Sequence, residues 1–178
     1  MRKVFLIIFT LLMLGFSKCE KVDEFTQFDL EYQETVTVPS TVGVNVPFDI
    51  WTPEVTTNSE SEFENHDTRK DKVEDIRLTK TRLEIISPPD RDFRFLNDIY
   101  VYISAEGLEE KQVAWKEDIP DNLGKVLDLN TVDDNLEAYI KKDKIKFRVK
   151  TVTDRVITSD HEIQLDAEFF VDAKVLGQ

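Results

Sequence analysis

The chain contains one cysteine among its 178 residues, Cys19. A single cysteine cannot form a disulfide within the chain, so the folded part must be stabilised by its apolar core. An unpaired thiol is also unusual in a protein exported to oxidising surroundings. The residues around Cys19 therefore bear on where the protein resides.

Glycine and histidine are scarce as well, with five and two residues respectively. So few glycines leave no Gly-rich loop to approach a phosphate group, and no G-x-S-x-G motif is present. The two histidines, His66 and His161, belong to no H-E-x-x-H motif. The sequence therefore predicts no enzyme, no catalytic residue and no cofactor.

The acidic segment 128–134 resembles a calcium-binding loop, but its residues do not follow the order of ligands that such a loop requires. Val132 stands where an oxygen ligand belongs, and the central glycine is missing. Thr131, Asp133 and Asp134 also suit the first turn of a helix, where acidic side chains are favoured. We therefore predict no metal site here.

Basic residues are outnumbered by acidic ones, 23 against 36, and the formal net charge is −13. Proteins bind nucleic acid and anionic lipid headgroups through clustered lysines and arginines, so this balance predicts no nucleic-acid partner. A chain of this length is expected to form one domain. The sequence does not indicate an oligomeric state.

A short apolar run near the N-terminus follows Arg2 and Lys3. It covers thirteen residues, Val4 to Phe16, whereas a membrane-spanning helix needs roughly 20. A basic start before an apolar core of this length is typical of a secretory signal peptide. Cys19 follows this core closely, which leaves two readings: an ordinary secretory signal, or a signal in which the cysteine has a role.

The segment Phe16-Ser17-Lys18-Cys19 resembles the signal of a bacterial lipoprotein, in the looser form found in Bacteroidota. This resemblance implies that Cys19 becomes the lipidated first residue of the mature protein. It also implies a signal peptide at 1–18, a tether at 19–24, and anchoring to the outer membrane. The acidic residues in the tether resemble the export tag of surface lipoproteins, although a plain acidic spacer accounts for them too. The sequence therefore does not decide which face of the outer membrane the domain occupies.

Alternation of apolar and polar residues predicts an all-β domain over 25–176. The first strand follows Phe28, Leu30 and Tyr32, and a second strand, limited to a sheet edge by Pro47, follows it. The apolar residues change from one face of the strand to the other near 79–82, which predicts a β-bulge. About 7–8 strands with one short crossover helix at about 131–141 resemble an antiparallel, immunoglobulin-like β-sandwich, without the Cys–Trp–Cys core of antibody domains.

One predicted strand carries four basic residues on its outward face: Lys144, Lys146, Arg148 and Lys150. The outward face of the last strand is acidic or polar. A hairpin of these two strands would place Lys146 against Asp166 and Lys150 against Glu162, with apolar residues opposed on the other face. We therefore expect these basic residues to form ion pairs across the two strands. The alternative is that they form a face that binds an anion.

Three aromatic residues are the candidate partner-binding residues. Trp51 has outward parity beside a predicted sheet edge, and Tyr100 and Tyr102 lie on the second face of a strand whose first face is already apolar. They either form a shallow surface for a protein or a sugar, or pack beneath a loop. Trp115 shares parity with Val113 and is expected in the core.

These observations together predict a non-enzymatic lipoprotein of the bacterial cell envelope. Its partners would be the membrane, through the N-terminal lipid, and an envelope protein or a glycan. The alternative from another class is a carbohydrate-active or other hydrolase whose carboxylate site lies near 53–75, a polar and acid-rich stretch.

Overall fold

Nine β-strands and two short helices make up the part of the chain that the structure describes. The structure is a computed structural model, and it describes residues 27–40 and 47–174. The strands are β1 Gln27–Val38, β2 Phe48–Trp51, β3 Val55–Thr56, β4 Val73–Ser87, β5 Leu96–Ala105, β6 Lys111–Lys116, β7 Val126–Thr131, β8 Lys144–Thr153 and β9 His161–Ala173. The helices are α1 Ser59–Asn65 and α2 Glu137–Ile140. The predicted signal peptide, the tether and Cys19 lie outside the described residues.

Every pair of neighbouring strands is antiparallel, and the strands form two sheets joined through β7. The first sheet has the order β1–β9–β4–β7, and the second has the order β6–β5–β8–β2, with β3 also paired to β8. Residues Thr81 to Glu84 of β4 pair with β7, whose last two residues pair instead with β6. The prediction of an all-β antiparallel fold is therefore confirmed.

Both sheets contribute one face to a single apolar core. Alternate residues of β8 and β9 are buried along most of their length. Phe147 from the second sheet and Phe169 from the first belong to the same cluster of buried residues. This arrangement is β-sandwich-like, and it is the result expected when two sheets each have one apolar face.

The predicted helix at 131–141 is wrong in extent. Thr131 ends strand β7, and helix α2 covers only Glu137–Ile140. The side-chain amide of Asn135 accepts a hydrogen bond from the backbone N–H of Glu137, at 2.8 Å. Leu136 and Ile140, four residues apart, are nevertheless both fully buried, as expected for the apolar side of a helix.

The predicted hairpin of the last two strands is also wrong, since β8 and β9 belong to different sheets. β8 pairs with β5 on one edge and with β2 and β3 on the other. β9 pairs with β1 and β4. A strand has only two edges, so neither strand can accept the other, and the basic residues of β8 do not face Asp166 or Glu162.

Two of the register shifts between the described strands bear on the predictions from sequence. The predicted bulge near 79–82 is confirmed by a register shift between Leu78 and Lys80. A second shift, at Val101 and Tyr102, leaves Val113 of β6 without an opposing residue. An extra residue in a strand reverses which face the following side chains occupy. Trp115 is consequently half-buried on the outward face rather than in the core as predicted.

Strand β2 is an edge strand, as the sequence predicts, because it pairs only with β8. Helix α1 occupies the polar stretch after β3. Its only fully buried apolar side chain is Phe63.

Candidate functional site

The outward face of the second sheet brings the predicted aromatic residues together. Trp51 at the end of β2 is in register with Arg148 of β8, and Arg148 is in register with Tyr102 of β5. These three residues form one row across three neighbouring strands. Trp51 is 53% exposed, which makes it a large and accessible aromatic surface.

Arg148 lies between the two aromatic side chains of this row. Its guanidinium carbon is 4.1 Å from the centroid of the Tyr102 ring and 5.7 Å from that of Trp51. Both distances are within the range of a cation–π interaction. The Arg148 side chain is only 15% exposed, so it fills the space between the rings.

Two carboxylates neutralise the guanidinium. Arg148 Nε donates to Glu110 Oε2 at 2.8 Å, and Nη1 donates to Asp49 Oδ1 at 2.6 Å. A second hydrogen bond joins Nη2 to Glu110. The bonds to Glu110, and then those to Asp49, raise the pKa of Arg148 against the lowering effect of burial. The cation is therefore fixed in place and is already paired.

A second aromatic pair lies beside this row. Tyr100 of β5 is in register with Trp115 of β6 on one side and with Lys150 of β8 on the other. The Tyr100 hydroxyl donates to Glu117 Oε1 at 2.5 Å, and this hydrogen bond raises the pKa of Tyr100 to about 12. The phenol thus stays protonated and keeps a fixed orientation near neutral pH.

We call these four residues the aromatic face: Trp51, Tyr100, Tyr102 and Trp115. The three predicted candidates all lie on it, while sequence reasoning missed Trp115. The signal available was the adjacent apolar pair Val113 and Ala114, both buried, which breaks alternation and is typical of a bulge.

The remaining basic residues of β8 show that the strand is ion-paired, with partners other than those predicted. Lys144 Nζ lies 2.9 Å from Glu54 Oε2, and Lys146 Nζ lies 3.4 Å from Glu54 Oε1. The hydrogen bond from Lys144 lowers the pKa of Glu54. Three of the four basic side chains on this strand thus have a carboxylate partner.

No protein-family model and no curated protein matches this sequence. The decameric BFDV capsid protein is similar in structure, with a TM-score of 0.40, 9% identity, and coverage of 83% of this chain and 98% of that one. A Desmodium yellow mottle tymovirus structure has a TM-score of 0.30, 9% identity, and coverage of 85% and 91%. A Cocksfoot mottle virus structure has a TM-score of 0.27, 10% identity, and coverage of 84% and 96%. At such low TM-scores these similarities carry no argument about this chain.

Elsewhere on the described surface, one cavity is rich in arginine. This cavity of about 180 Å³ is lined by Arg91, Arg94, Arg155 and His161, among others. Asp92 accepts from Arg94 at 2.8 Å, and Asp121 pairs with Arg155. Two of its three guanidinium groups are thus already neutralised.

Some of the carboxylates in the acid-rich stretch near 53–75 form ion pairs. Asp71 pairs with Arg69 at 2.6 Å, and Asp75 pairs with Arg77 at 2.5 Å. Within the described residues, no group of three or more His, Cys, Asp or Glu side chains is arranged to hold a metal ion. Over the same residues, none of the helices has the length and apolarity needed to cross a membrane.

Proposed function

We propose that this chain is a lipid-anchored, non-enzymatic binding module of the bacterial cell envelope, and that the aromatic face is its binding surface. The observation that carries this proposal is the in-register row of Trp51, Arg148 and Tyr102 on open sheet strands. Tryptophan, tyrosine and arginine are the residues most enriched at the energetic centres of binding surfaces. Here all three types lie side by side.

The rigidity of the face supports a binding role. Its four aromatic side chains stand on β2, β5 and β6, and all three strands are held by β8 or by one another. Arg148 contacts two of the rings and is itself held by three hydrogen bonds. A surface whose side chains are already ordered loses little conformational entropy when a partner binds.

We further propose that the domain is an immunoglobulin-like sandwich. In support, each sheet has at least four antiparallel strands, and the two sheets share one core. Strand β7, which pairs with both sheets, makes the connection between them.

We propose the outer membrane as the location, with Cys19 as the attachment site. Replacing Cys19 by alanine is expected to move the protein from the membrane fraction to the soluble fraction, because the acyl chains supply the anchor. Fractionation with immunodetection measures this, and intact mass should show acyl chains on the wild type only. A mature N-terminus downstream of Cys19 would disprove the lipid anchor. Protease added to intact cells then shows which face of the outer membrane the domain occupies, because only a domain on the cell surface is digested without lysis.

The binding role is tested by a photo-cross-linking amino acid at Gln112, which is in register with Tyr102 on the outward face. In living cells this position should capture an envelope component, whether protein or glycan, because it borders the aromatic face. The matched control carries the same group at Phe170, which lies half-buried on the outward face of the first sheet. Equal capture from both positions, or none from Gln112, would contradict the proposal.

The hydrolase with a carboxylate site near 53–75 stays an untested alternative. The carboxylates of Asp71 and Asp75 face arginines rather than each other. No observation among the described residues favours this second function over the first.

A further inference from the structure

We infer that the ligand of the aromatic face is a neutral oligosaccharide. This inference rests on the proposed binding function and specifies its chemistry. A pyranose ring presents one face of C–H groups to an aromatic ring and a rim of hydroxyl groups to polar side chains. The aromatic face and the carboxylates beside it offer both kinds of contact.

The spacing of the rings fits a short run of sugars. Trp51 and Tyr102 stand on β2 and β5, with β8 between them. Two strand spacings separate these rings by roughly 10 Å, which is the order of length of a disaccharide unit. Tyr100 lies two residues from Tyr102 along β5, so a second pair of rings continues the surface toward Trp115.

The charges of the face favour a neutral ligand over a charged one. The one cation between the rings, Arg148, is held by Asp49 and Glu110, so an anionic group that approaches Arg148 would have to displace a carboxylate. A cationic ligand would meet Lys150 and the lysines of the same strand. Hydroxyl groups can instead donate to the exposed carboxylates without breaking an existing pair. Asp49 is 48% exposed and can accept in this way.

The small exposed apolar area also disfavours a protein partner. Of the four rings, only Trp51 is more than half exposed, whereas Tyr100, Tyr102 and Trp115 are half-buried. A stable protein interface buries about 800 Å² on each partner around an apolar centre. Sugar recognition requires only a few partly exposed rings with acceptors beside them.

The test uses the full-length lipid-anchored protein in a zwitterionic detergent, since detergents with sugar headgroups would compete. The probes are a β-glucan, a mannan and a galactan, with polygalacturonate as the anionic comparison. Both tryptophans of the chain lie on the aromatic face, so their fluorescence reports binding there, and calorimetry gives the affinity. We expect at least one neutral polymer to bind, with affinity constant within about twofold from about 50 to about 500 mM NaCl, because no charge is exchanged.

Variants show whether the rings are responsible. Trp51→Ala should weaken binding by at least about tenfold, equivalent to 1.4 kcal/mol, whereas Trp51→Phe should keep most of the affinity. Phe170→Ala, on the other sheet, should leave the affinity within about twofold of wild type. Thermal unfolding of each variant verifies that the fold is kept.

The outcomes separate this inference from the proposed function. If only polygalacturonate binds, if affinity falls steeply with salt, or if no neutral polymer binds, the inference is wrong. Capture through Gln112 would in that case still support a binding face of other chemistry. If a neutral polymer binds equally well to Trp51→Ala and to wild type, and Gln112 captures nothing, the aromatic face is not the binding surface and both proposals are wrong.

Discussion

Replacing Phe169 by alanine is expected to lower the free energy of unfolding by about 3–5 kcal/mol, the usual cost of deleting a buried phenyl ring. Phe169 is fully buried in β9, between Leu30 of β1 and Leu78 of β4 in register. Its ring also meets the edge of Tyr32, at a centroid distance of 5.7 Å. The neighbouring strands cannot close the cavity without losing their pairing, so little of this cost is recovered by relaxation.

The adjacent residue provides a matched control for this substitution. Phe170 is half-buried on the outward face of the same strand, so Phe170→Ala removes the same atoms from the other side of the sheet. We expect it to cost about 1 kcal/mol, a typical value for a single substitution. Urea unfolding followed by circular dichroism measures both variants. Equal costs would mean that β9 does not present Phe169 to the core.

Arg148→Ala is expected to destabilise the protein by about 1.5–3 kcal/mol, the range for hydrogen bonds to charged groups. The substitution removes the hydrogen bonds to Asp49 and Glu110 and leaves these carboxylates without their cation. It also removes the side chain that packs between Tyr102 and Trp51. The two acidic side chains are 48% and 29% exposed, so water recovers part of their solvation and limits the loss.

Lys150→Ala is the control for Arg148, because Lys150 stands on the same face of β8 and forms no ion pair with the described residues. Its effect should stay within about 0.5 kcal/mol. A double-mutant cycle with Glu110→Gln isolates the pair: the two substitutions together should cost less than the sum of their separate effects. Strict additivity in chemical unfolding would show that Arg148 and Glu110 do not interact in solution.

Strand parity was predictable because it is a local property. A side chain in a strand faces away from its neighbours in sequence, so Leu30 and Phe169 could be assigned to the core from alternation alone. The same rule placed Trp51, Tyr100 and Tyr102 outside the core. Only the bulge at Val113, which inserts one residue into the pattern, reversed the expectation for Trp115.

Strand partners were not predictable on the same basis. The expected pairing of Lys146 with Asp166 satisfied both faces of a hairpin, yet Lys146 pairs with Glu54. Exposed ion pairs contribute at most about 1 kcal/mol each, so in an acid-rich chain many registers satisfy a basic strand almost equally well. The choice among them depends on which arrangement of two sheets buries the most apolar surface.

The helix shows the same division between local and distant effects. Leu136 and Ile140 are buried, as two apolar side chains at helical spacing indicate. Of the predicted helix, only Thr131 belongs to strand β7, and residues 132–136 are neither helix nor strand. The pairing of Thr131 with Ala114 and the hydrogen bond from the Val132 N–H to the Val113 carbonyl keep the chain extended where local signals favour the start of a helix.

By itself the sequence determined the all-β class, the buried face of most strands, and the outward position of three aromatic side chains, since each follows from the two-residue repeat of an extended chain. The tertiary structure alone decided that Arg148 would lie between Trp51 and Tyr102, and that Asp49 and Glu110 would neutralise it. These residues come from three distant segments of the chain, 49–51, 102–110 and 148. Their meeting depends on the order of strands in the sheet, which is set by the packing of the whole core rather than by any neighbour in sequence.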